Sequence, residues 1–570
     1  MLDTMISGGT VIDGTGAPSF QADVGIVDGK IVCIGKSTER AKRTIDATDR
    51  IVCPGFIDIH THYDAQLCWD RFLSPSPLHG VTTVIGGNCG FSLAPLEPTE
   101  KDYLLEMLAR VEGIPVEALR AGVPADWRSF EEFLDRAHGL AVNAGFLVGH
   151  CALRRCVMGD RANSEAATDA DMTAMLTLLS RCLQEGALGF SSTTSPTHID
   201  GDYQPVPSRR AGRDEILQLA RSLKDHPGTM LEFIPSIGRF TEEDQELMIQ
   251  MTVQSERTLN WNVLVSSAEC PQAYQAQLDL SDRAAARGGR ILALTLPQVM
   301  NMRLNLRSGF VLDSISEWKN IFRLPVKERC RALSEPAIRD GLAKATRTNK
   351  MFGALFRWEN MTVSETVHPE NKRFEGRQIG EIAIELNREP FDTLLDLAIS
   401  EELETSFSPL IPGNDDDNWR LRGELWRDPR TLIGASDAGA HLDMIDTFAY
   451  TTTTLEVGVR QRQLISLEEA ICQLTAAPAR AVGLIERGTL TEGFHADVVV
   501  FDPDTIAVGP LATRRDLPDQ QRRLFAGAIG IDSVLVNGVE IVQRNEFTGA
   551  LPGIALRSGR DTTNTTNTTN

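Results

Sequence analysis

Eight short segments with the composition of β-strands constrain the fold of this chain more than any other feature. Helical stretches separate most of them, and two of these helices carry start signals, Thr168 with Asp171 and Thr241 with Asp244. Regular alternation of strand and helix predicts an α/β fold, and eight strands predict a (β/α)8 TIM-like barrel. The predicted strands are residues 55–62, 81–86, 144–150, 187–193, 229–235, 259–266, 291–297 and 431–437.

Both ends of the chain carry strand-like segments outside this alternation. Residues 1–53 include a strand pattern around the turn pair Asp28-Gly29, and residues 485–555 include one around Asn537-Gly538. Neither end has enough strands to be stable alone. We therefore expect both ends to form one small β-sandwich domain beside the barrel.

The barrel domain is predicted to cover residues 54–484. The gap before its last strand is too long for a loop and contains several helical segments, so residues 298–430 are predicted to be an inserted helical subdomain. Insertions after barrel strands lie at the catalytic face, so this one either forms a lid over the site or serves oligomer contacts. Low complexity at the C-terminus predicts a disordered tail over residues 556–570.

Charge and cysteine content narrow the class of protein. The 570 residues carry a net charge of −21, which argues against nucleic acid or an anionic membrane as a partner. No apolar stretch reaches membrane-spanning length, and no signal peptide is visible at the N-terminus. Ten cysteines without a CxxC pair indicate reduced thiols. We expect a cytoplasmic protein that acts on a small molecule, with homo-oligomer formation left open.

The first predicted strand ends in the pair His60 and His62. Alternate residues of a strand share a face, so both imidazoles are expected on the same side. Neutral imidazoles are good zinc ligands, which predicts a metal site at the mouth of the barrel. Two ordinary surface histidines are the alternative, and the apolar lead-in GFIDI disfavours it.

Further candidate groups stand at the ends of other predicted strands, where barrel enzymes place catalytic residues. Cys89, between glycines in GGNCG, is either a thiolate ligand or a small buried residue. Asp437 either binds metal and moves protons or caps the next helix. His150 and His441 either contact substrate or are structural histidines with their hydrogen bonds satisfied.

Five segments together resemble the amidohydrolase superfamily: PGFIDIHTH, GVTTVIGGNCG, IGASDAGAH, LTAAPARAVGL and GTLTEGFHADVVVFDP. Within it, GNCG and HTHYD resemble the D-aminoacylase-like branch, the N-acyl-D-amino-acid deacylases. The resemblance covers nearly the whole chain and implies a (β/α)8 barrel that binds one or two zinc ions. It implies His60, His62, Cys89 and Asp437 as metal ligands, with Cys89 bridging and Asp437 also serving as general base and acid.

The chain departs from that branch at three places. The branch has histidine ligands at strands five and six, where this chain has Glu232 and Asn262, so one zinc is expected and a second is left open. We expect either Glu232 or His198 to replace the missing histidine ligands and Asn262 to line the pocket. The HPR segment of the branch is missing after His441, which makes Arg357 of the insertion a candidate to bind a substrate carboxylate, with a surface position as the alternative. The candidate substrate-binding residues are therefore His150, His198, Glu232, Asn262, Arg357 and His441.

The predicted function is metal-dependent hydrolysis of a linear amide, with an N-acyl (D-)amino acid as the substrate that the resemblance implies. A cyclic amide, imide or carbamoyl hydrolase is the first alternative, because the same metal chemistry serves it. An inactive binding protein derived from an amidohydrolase is the second, and it is disfavoured because His60, His62 and Asp437 are all retained. The acyl group and the stereochemistry of the substrate stay open.

Overall fold

A computed structural model shows a mixed α/β fold and describes residues 1–236, 238–309, 311–349 and 355–564. The chain forms two compact units. The first contains Met1–Gln298, Asp415–His441 and the chain from Thr447 onward, and the second contains Val299–Asn414 and Leu442–Asp446. Within the described ranges no helix is long and apolar enough to cross a membrane.

Parallel strands form the centre of the first unit, and each of the eight predicted segments overlaps at least one of them. One sheet has three strands, Phe56–Asp58, Val81–Gly86 and Asn143–Phe146. The other has six, Val148–Gly149, Gly189–Thr193, Met230–Ile234, Thr258–Trp261, Arg290–Thr295 and Thr431–Ile433. Strand order follows chain order, and nearly every strand residue is buried, as expected for apolar parallel strands covered on both faces.

Two backbone contacts join these sheets. Leu188 N donates to Phe146 O at 2.8 Å, and Thr61 forms a parallel bridge with Ala438. The second contact brings the chain just after the first parallel strand beside the chain just after the last one. Residues that are 377 positions apart in the sequence (438 minus 61) therefore meet at the carboxyl ends of the strands.

Helices connect most of the parallel strands. Both predicted capping boxes are present: the hydroxyl of Thr168 accepts Asp171 N at 3.2 Å, and that of Thr241 accepts Asp244 N at 3.1 Å. The α-helices of this unit are Lys101–Val111, Val116–Gly122, Phe130–Asp135, His150–Met158, Asp169–Gln184, Arg213–Ser222, Glu242–Ser255, Pro271–Ala285, Asp416–Leu425, Tyr450–Thr453, Leu467–Leu474 and Ala476–Val482, and Thr454–Gln461 is a π-helix.

The two chain ends pair in one nine-stranded sheet. Ile51–Pro54 runs antiparallel to Val498–Phe501, with Val52 opposite Val500, and the buried face holds valines and isoleucines from both ends. Its strands are Leu2–Val11, Phe20–Val27, Lys30–Gly35, Ala41–Asp46, Ile51–Pro54, Val498–Phe501, Ile531–Val536, Val539–Gln543 and Glu546–Phe547. Shorter antiparallel pairs join Ala507–Val508 to Ala528–Ile529 and Ala512–Arg514 to Arg523–Phe525.

The segment 556–564 differs from the predicted disordered tail. Thr563 N donates to Gly483 O at 2.8 Å, and the Thr562 hydroxyl donates to Gly228 O at 2.6 Å, with Thr562 only 1% exposed. Low complexity is a property of composition, and it does not reveal that these threonines find backbone partners. Residues 565–570 of the predicted tail lie outside the described residues.

The second unit has its own apolar core and corresponds to most of the predicted insertion. Its helices are Ser316–Phe322, Val326–Ser334, Pro336–Thr348, Ile379–Leu386 and Pro390–Ser400, and Thr362–Glu365 pairs antiparallel with Ser406–Ser408. Trp358 belongs to this core, with its ring 4.9 Å from that of Phe391, whereas the neighbouring Arg357 is exposed. Asp416–Leu425, which the sequence assigned to the insertion, belongs to the first unit.

Candidate metal centre

His60 and His62 lie just beyond the first parallel strand. The predicted strand end at His62 is four residues too late, because strand pairing stops at Asp58, whose Oδ1 accepts His60 N at 3.3 Å. The predicted convergence of the two imidazoles nevertheless occurs. Nε2 of His60 lies 3.4 Å and Nε2 of His62 lies 3.9 Å from Cys89 Sγ. Both histidines are buried.

Cys89 lies in a tight loop that its neighbours hold in place. Its φ of 57° is left-handed, and a side chain at Gly87 would come within 2.3 Å of Leu147 O, so the loop requires glycine there. Ser191 holds both arms of the loop: its hydroxyl donates to Gly87 O and accepts Gly90 N at 3.0 Å. The Cys89 thiol is thus fixed toward the two histidines.

Asp437 closes the opposite side of the histidine pair. Its Oδ1 lies 3.2 Å from His60 Nε2 and 3.8 Å from His62 Nε2, and its side chain is 19% exposed, more than either imidazole. Its backbone is left-handed, with φ of 48°, a costly conformation for a residue with a Cβ and one that is concentrated at functional sites. Asp437 is therefore the most accessible carboxylate at this centre.

The donor atoms fit a zinc ion. Among the described residues, His60, His62 and Cys89 form a group whose ligand atoms all lie within 4.8 Å of one another. Zinc–ligand bonds of ~2.0–2.3 Å in tetrahedral geometry place neighbouring ligand atoms about 3.3–3.8 Å apart. The four contacts among these three residues and Asp437 span 3.2–3.9 Å. Two imidazoles, a thiol and a carboxylate are also the ligand types that zinc prefers.

Burial shapes the protonation of this group. It lowers the pKa of His62 to about 3, with the charge of His60 adding to the effect, so His62 stays neutral as a metal ligand requires. Burial, followed by the carboxylates of Glu232 and Glu112, raises the pKa of the Cys89 thiol well above its usual range. A metal ion must therefore displace the thiol proton when it binds.

Glu232 and Asn262 extend the centre on the side of strands five and six. Glu232 is fully buried, and its Oε2 accepts Cys89 N at 2.7 Å, while Oε1 has no hydrogen-bond partner within the described chain. Burial raises the pKa of Glu232 to about 7. Asn262 Nδ2 lies 3.2 Å from His60 Nε2 and donates to Asp437 Oδ1 at 3.0 Å. The structure thus brings both predicted residues to the centre.

His150 fits the structural alternative and not a contact with substrate. Its Nδ1 lies 2.8 Å from the Ser192 hydroxyl, and its Nε2 lies 2.9 Å from Glu215 Oε1, whose charge Arg154 neutralises. The side chain is fully buried, so neither ring nitrogen is left for a substrate. The strand-end position suggested a site residue, but a local network satisfies the imidazole completely.

His198 and His441 lie near the centre without joining the ligand group. The ring of His198 packs edge-on against Phe91, two residues past Cys89, at 5.1 Å between centroids. Burial, followed by the charges of Arg209 and His441, lowers the pKa of His198 to about 3. His441 N donates to Glu112 O, and the charge of His441 acts on His62 and Asp437.

Sequence reasoning missed two carboxylates at this centre. Glu112 Oε1 lies 3.3 Å from His62 Nδ1, the ring nitrogen that faces away from Cys89, and so fixes the ring orientation of a ligand. Asp58 lies inside the first motif, and burial raises its pKa to about 7. Asp58 was visible as the acidic residue of GFIDIHTH, whereas Glu112 follows an ordinary helix and carried no signal.

Comparison with known proteins identifies the family. A profile described as the amidohydrolase family matches residues 43–542. The chain belongs to the amidohydrolase family. This confirms the resemblance inferred from the five motifs, and with it the prediction of an enzyme that hydrolyses carbon–nitrogen bonds other than peptide bonds.

Two relatives that match this amidohydrolase over nearly its whole length are named as an aminoacylase and a deacylase. It is 30% identical to N-acyl-D-aspartate deacylase from Alcaligenes xylosoxydans xylosoxydans, over 98% of this chain and 95% of the relative. It is 29% identical to D-aminoacylase from the same organism, over 97% of both chains. A crystal structure of N-acyl-D-glutamate deacylase from Bordetella bronchiseptica, complexed with zinc and a phosphonate inhibitor, has a TM-score of 0.64 at 25% identity and covers 98% of this chain and 100% of its own.

Proposed function

We propose that this amidohydrolase is a zinc-dependent hydrolase of a linear amide, and that its substrate is an N-acyl amino acid, of D configuration by the names of its relatives. The observation that carries the proposal is the convergence of His60 Nε2, His62 Nε2 and Cys89 Sγ beside the Asp437 carboxylate. The zinc in the related deacylase supports the choice of metal.

We also propose that the two parallel sheets close into a (β/α)8 barrel and that the nine-stranded sheet belongs to a β-sandwich. The bridge between Thr61 and Ala438 and the bond from Leu188 to Phe146 support closure. The pairing of Ile51–Pro54 with Val498–Phe501 supports a single domain made of both chain ends. The boundaries at residues 54, 298, 430 and 485, and the lid role of the insertion, stay predictions.

Asp437 is the proposed general base and acid, in addition to a metal ligand. When bound, zinc supplies Lewis acidity that acidifies water and polarises a carbonyl. The pKa of Asp437 is raised by burial but lowered more by the hydrogen bond with His60 and by the charge of His60, and it ends below its usual value. The ionised carboxylate accepts the proton of the attacking water and returns it to the departing nitrogen. The Asn262 amide donates to Asp437 Oδ1 and holds this carboxylate in place during both proton transfers.

Glu232 is proposed as a further metal ligand. A fully buried carboxylate without a basic partner is costly, and its unpartnered Oε1 next to the Cys89 loop would be satisfied by a cation. Glu232 and Cys89 would hold this ion if the centre takes a second one. This role replaces the substrate contact predicted for Glu232, while Asn262, His441 and Arg357 keep theirs as proposals.

His198 is the proposed hydrogen-bond acceptor for the N–H of the substrate amide. The Thr193 hydroxyl lies 2.8 Å from His198 Nδ1 and 3.0 Å from Ile234 O. It has one proton, so both contacts are hydrogen bonds only when Thr193 donates to Ile234 O and His198 Nδ1–H donates to Thr193. His198 Nε2 is then left as an acceptor, which matches the N–H of a secondary amide.

The free cysteines and the net charge support a cytoplasmic, small-molecule enzyme. All ten cysteines are free, and the net charge is −21. Both favour a reducing compartment and disfavour nucleic acid or anionic membrane as partners. Assembly into homo-oligomers stays open.

A substrate panel tests the proposed function. Metal-stripped protein reloaded with zinc should hydrolyse N-acetyl-D-amino acids faster than the L forms, hydantoins or cyclic imides. The change Asp437→Asn should lower kcat by roughly 10²–10⁴-fold, because it removes proton transfer. Circular dichroism should show an unchanged fold, and the exposed Asp202→Asn should behave as wild type. No hydrolysis of any N-acyl amino acid by zinc-, cobalt- or manganese-loaded protein would overturn the proposal.

A further inference from the structure

Arg209 is a half-buried arginine with almost no partners in the protein. It lies in the short 3₁₀ turn Pro207–Arg210, which follows the parallel strand Gly189–Thr193. A guanidinium has five N–H donors. One contact is formed, from Arg209 Nη1 to His198 O at 3.0 Å, and no carboxylate of the described residues lies within 4.0 Å. Burial, followed by the charge of Arg210, lowers the pKa of Arg209.

Other buried arginines of this unit show how the fold normally satisfies this side chain. Arg154 pairs with both oxygens of Glu215 and also donates to two carbonyl oxygens. Arg257 has no carboxylate within reach, yet all three of its nitrogens donate to carbonyl or hydroxyl oxygens. Arg209 has neither kind of compensation, so its cation and most of its donors are available to a ligand.

The position of Arg209 places those donors at the border of the metal centre. The carbonyl it binds belongs to His198, whose ring packs on Phe91 and whose pKa responds to the charge of Asp437. The carboxylate of Asp437 at the centre repels an anionic substrate. A substrate with its own carboxylate therefore needs a local cation.

We propose that Arg209 binds the carboxylate of the amino-acid half of the substrate. The planar guanidinium matches a carboxylate in a two-bond arrangement, which fixes orientation as well as charge. This inference rests on the proposed function and identifies the group that distinguishes an N-acyl amino acid from a neutral amide. Because Arg209 also holds His198 O, the same contact links carboxylate binding to the position of the proposed N–H acceptor.

The test compares an N-acetyl-D-amino acid with its carboxamide, which differs only in the anionic group. Wild-type enzyme should prefer the acid. Arg209→Gln keeps a donor for His198 O but loses the charge, and it should raise KM for the acid by roughly 10–100-fold while changing the carboxamide little. Arg209→Lys should keep part of the preference. The matched control is the exposed neighbour, Arg210→Gln, which should keep all of it. An unchanged preference in folded, zinc-loaded Arg209→Gln would overturn the inference.

A binding measurement separates this inference from the proposed function. Zinc-loaded Asp437→Asn protein should turn substrate over roughly 10²–10⁴-fold more slowly, so calorimetry can compare the binding of acid and carboxamide before much is hydrolysed. If wild type hydrolyses N-acyl amino acids but Arg209→Gln on the Asp437→Asn background still binds the acid normally, only the Arg209 role fails. If wild type hydrolyses none of them, the proposed function fails, and selective loss of acid binding in Arg209→Gln would still support the anion site.

Discussion

Two buried clusters of polar side chains lie at the carboxyl ends of the parallel strands, and they are built on opposite principles. The His150 cluster contains His150, Arg154, Ser192 and Glu215, and its one carboxylate is neutralised by a guanidinium and hydrogen-bonded to an imidazole. The metal cluster contains His60, His62, Cys89, Asp437 and Glu232, and neither of its carboxylates has a basic side chain other than histidine as a described partner.

The difference separates a structural cluster from a functional one. In the His150 cluster both ring nitrogens and both oxygens of Glu215 are bonded, and among these groups Arg154 Nε is the one buried without a hydrogen bond in the described chain. In the metal cluster three ligand atoms converge on one point, and the acceptor Glu232 Oε1 nearby is buried without a hydrogen bond in the described chain. Buried polar groups are rarely left unsatisfied unless a ligand, an ion or a function explains them. Strand-end position alone, which both clusters share, does not distinguish them.

Two buried cysteines, Cys89 in the metal cluster and Cys151 beside the His150 cluster, provide the largest contrast. Cys89→Ala should weaken zinc binding by roughly 10³-fold because it removes a ligand, and loss of a group that only holds a ligand in place already costs ~10–100-fold. Cys151→Ala, in the helix that carries His150 and Arg154, should leave zinc affinity unchanged. Competition with a chelator, followed by metal analysis, measures both. Equal zinc affinity in the two variants would mean that Cys89 is only a packing residue.

Glu215 of the His150 cluster and Glu232 of the metal cluster should differ in how a change to glutamine affects the stability of the protein. Glu215→Gln should destabilise the protein by about 3 kcal/mol, because it leaves the fully buried Arg154 without its counter-ion. Burial raises the pKa of Glu215, but the hydrogen bonds and charges of His150 and Arg154 lower it by more than burial raises it. The pKa of Glu215 in the folded protein therefore lies below the ordinary value. Its contribution to stability is therefore present at neutral pH and is lost as the pH falls through the folded pKa.

Glu232→Gln should instead leave the metal-free protein as stable as wild type or more so, because the lost charge had no cation to balance it. The same variant should bind less zinc, or bind it more weakly. Thermal melts of metal-free and zinc-loaded protein measure both effects for each glutamate. A strongly destabilised metal-free Glu232→Gln would show that the comparison between the clusters is wrong.

The sequence contained the ligands of the metal cluster but not the evidence that separates it from the His150 cluster. His60, His62, Cys89 and Asp437 follow strands in recognisable motifs, and parallel strands bring their carboxyl ends together. His150 follows a strand in the same way, and Arg154 lies four positions later on the same helix face, but Glu215 is 65 positions away from His150 and no periodicity indicates that it meets them there. Glu112 and Arg209 lie in connections whose path depends on tertiary packing, so their positions could not be predicted.

His198 combines a feature of each cluster. Its Nδ1 contacts the Thr193 hydroxyl, as both ring nitrogens of His150 contact protein groups, whereas its Nε2 is proposed to bind a ligand, as Nε2 of His60 and His62 is. If Nε2 accepts the substrate N–H, His198→Phe should lower kcat/KM about tenfold for a secondary amide, which corresponds to one hydrogen bond. N-acetylproline, a tertiary amide without an N–H, should lose little. His198→Gln, which restores an acceptor, should recover part of the discrimination. An equal loss for both amides would instead indicate that His198 only supports the loop through Thr193 and Arg209.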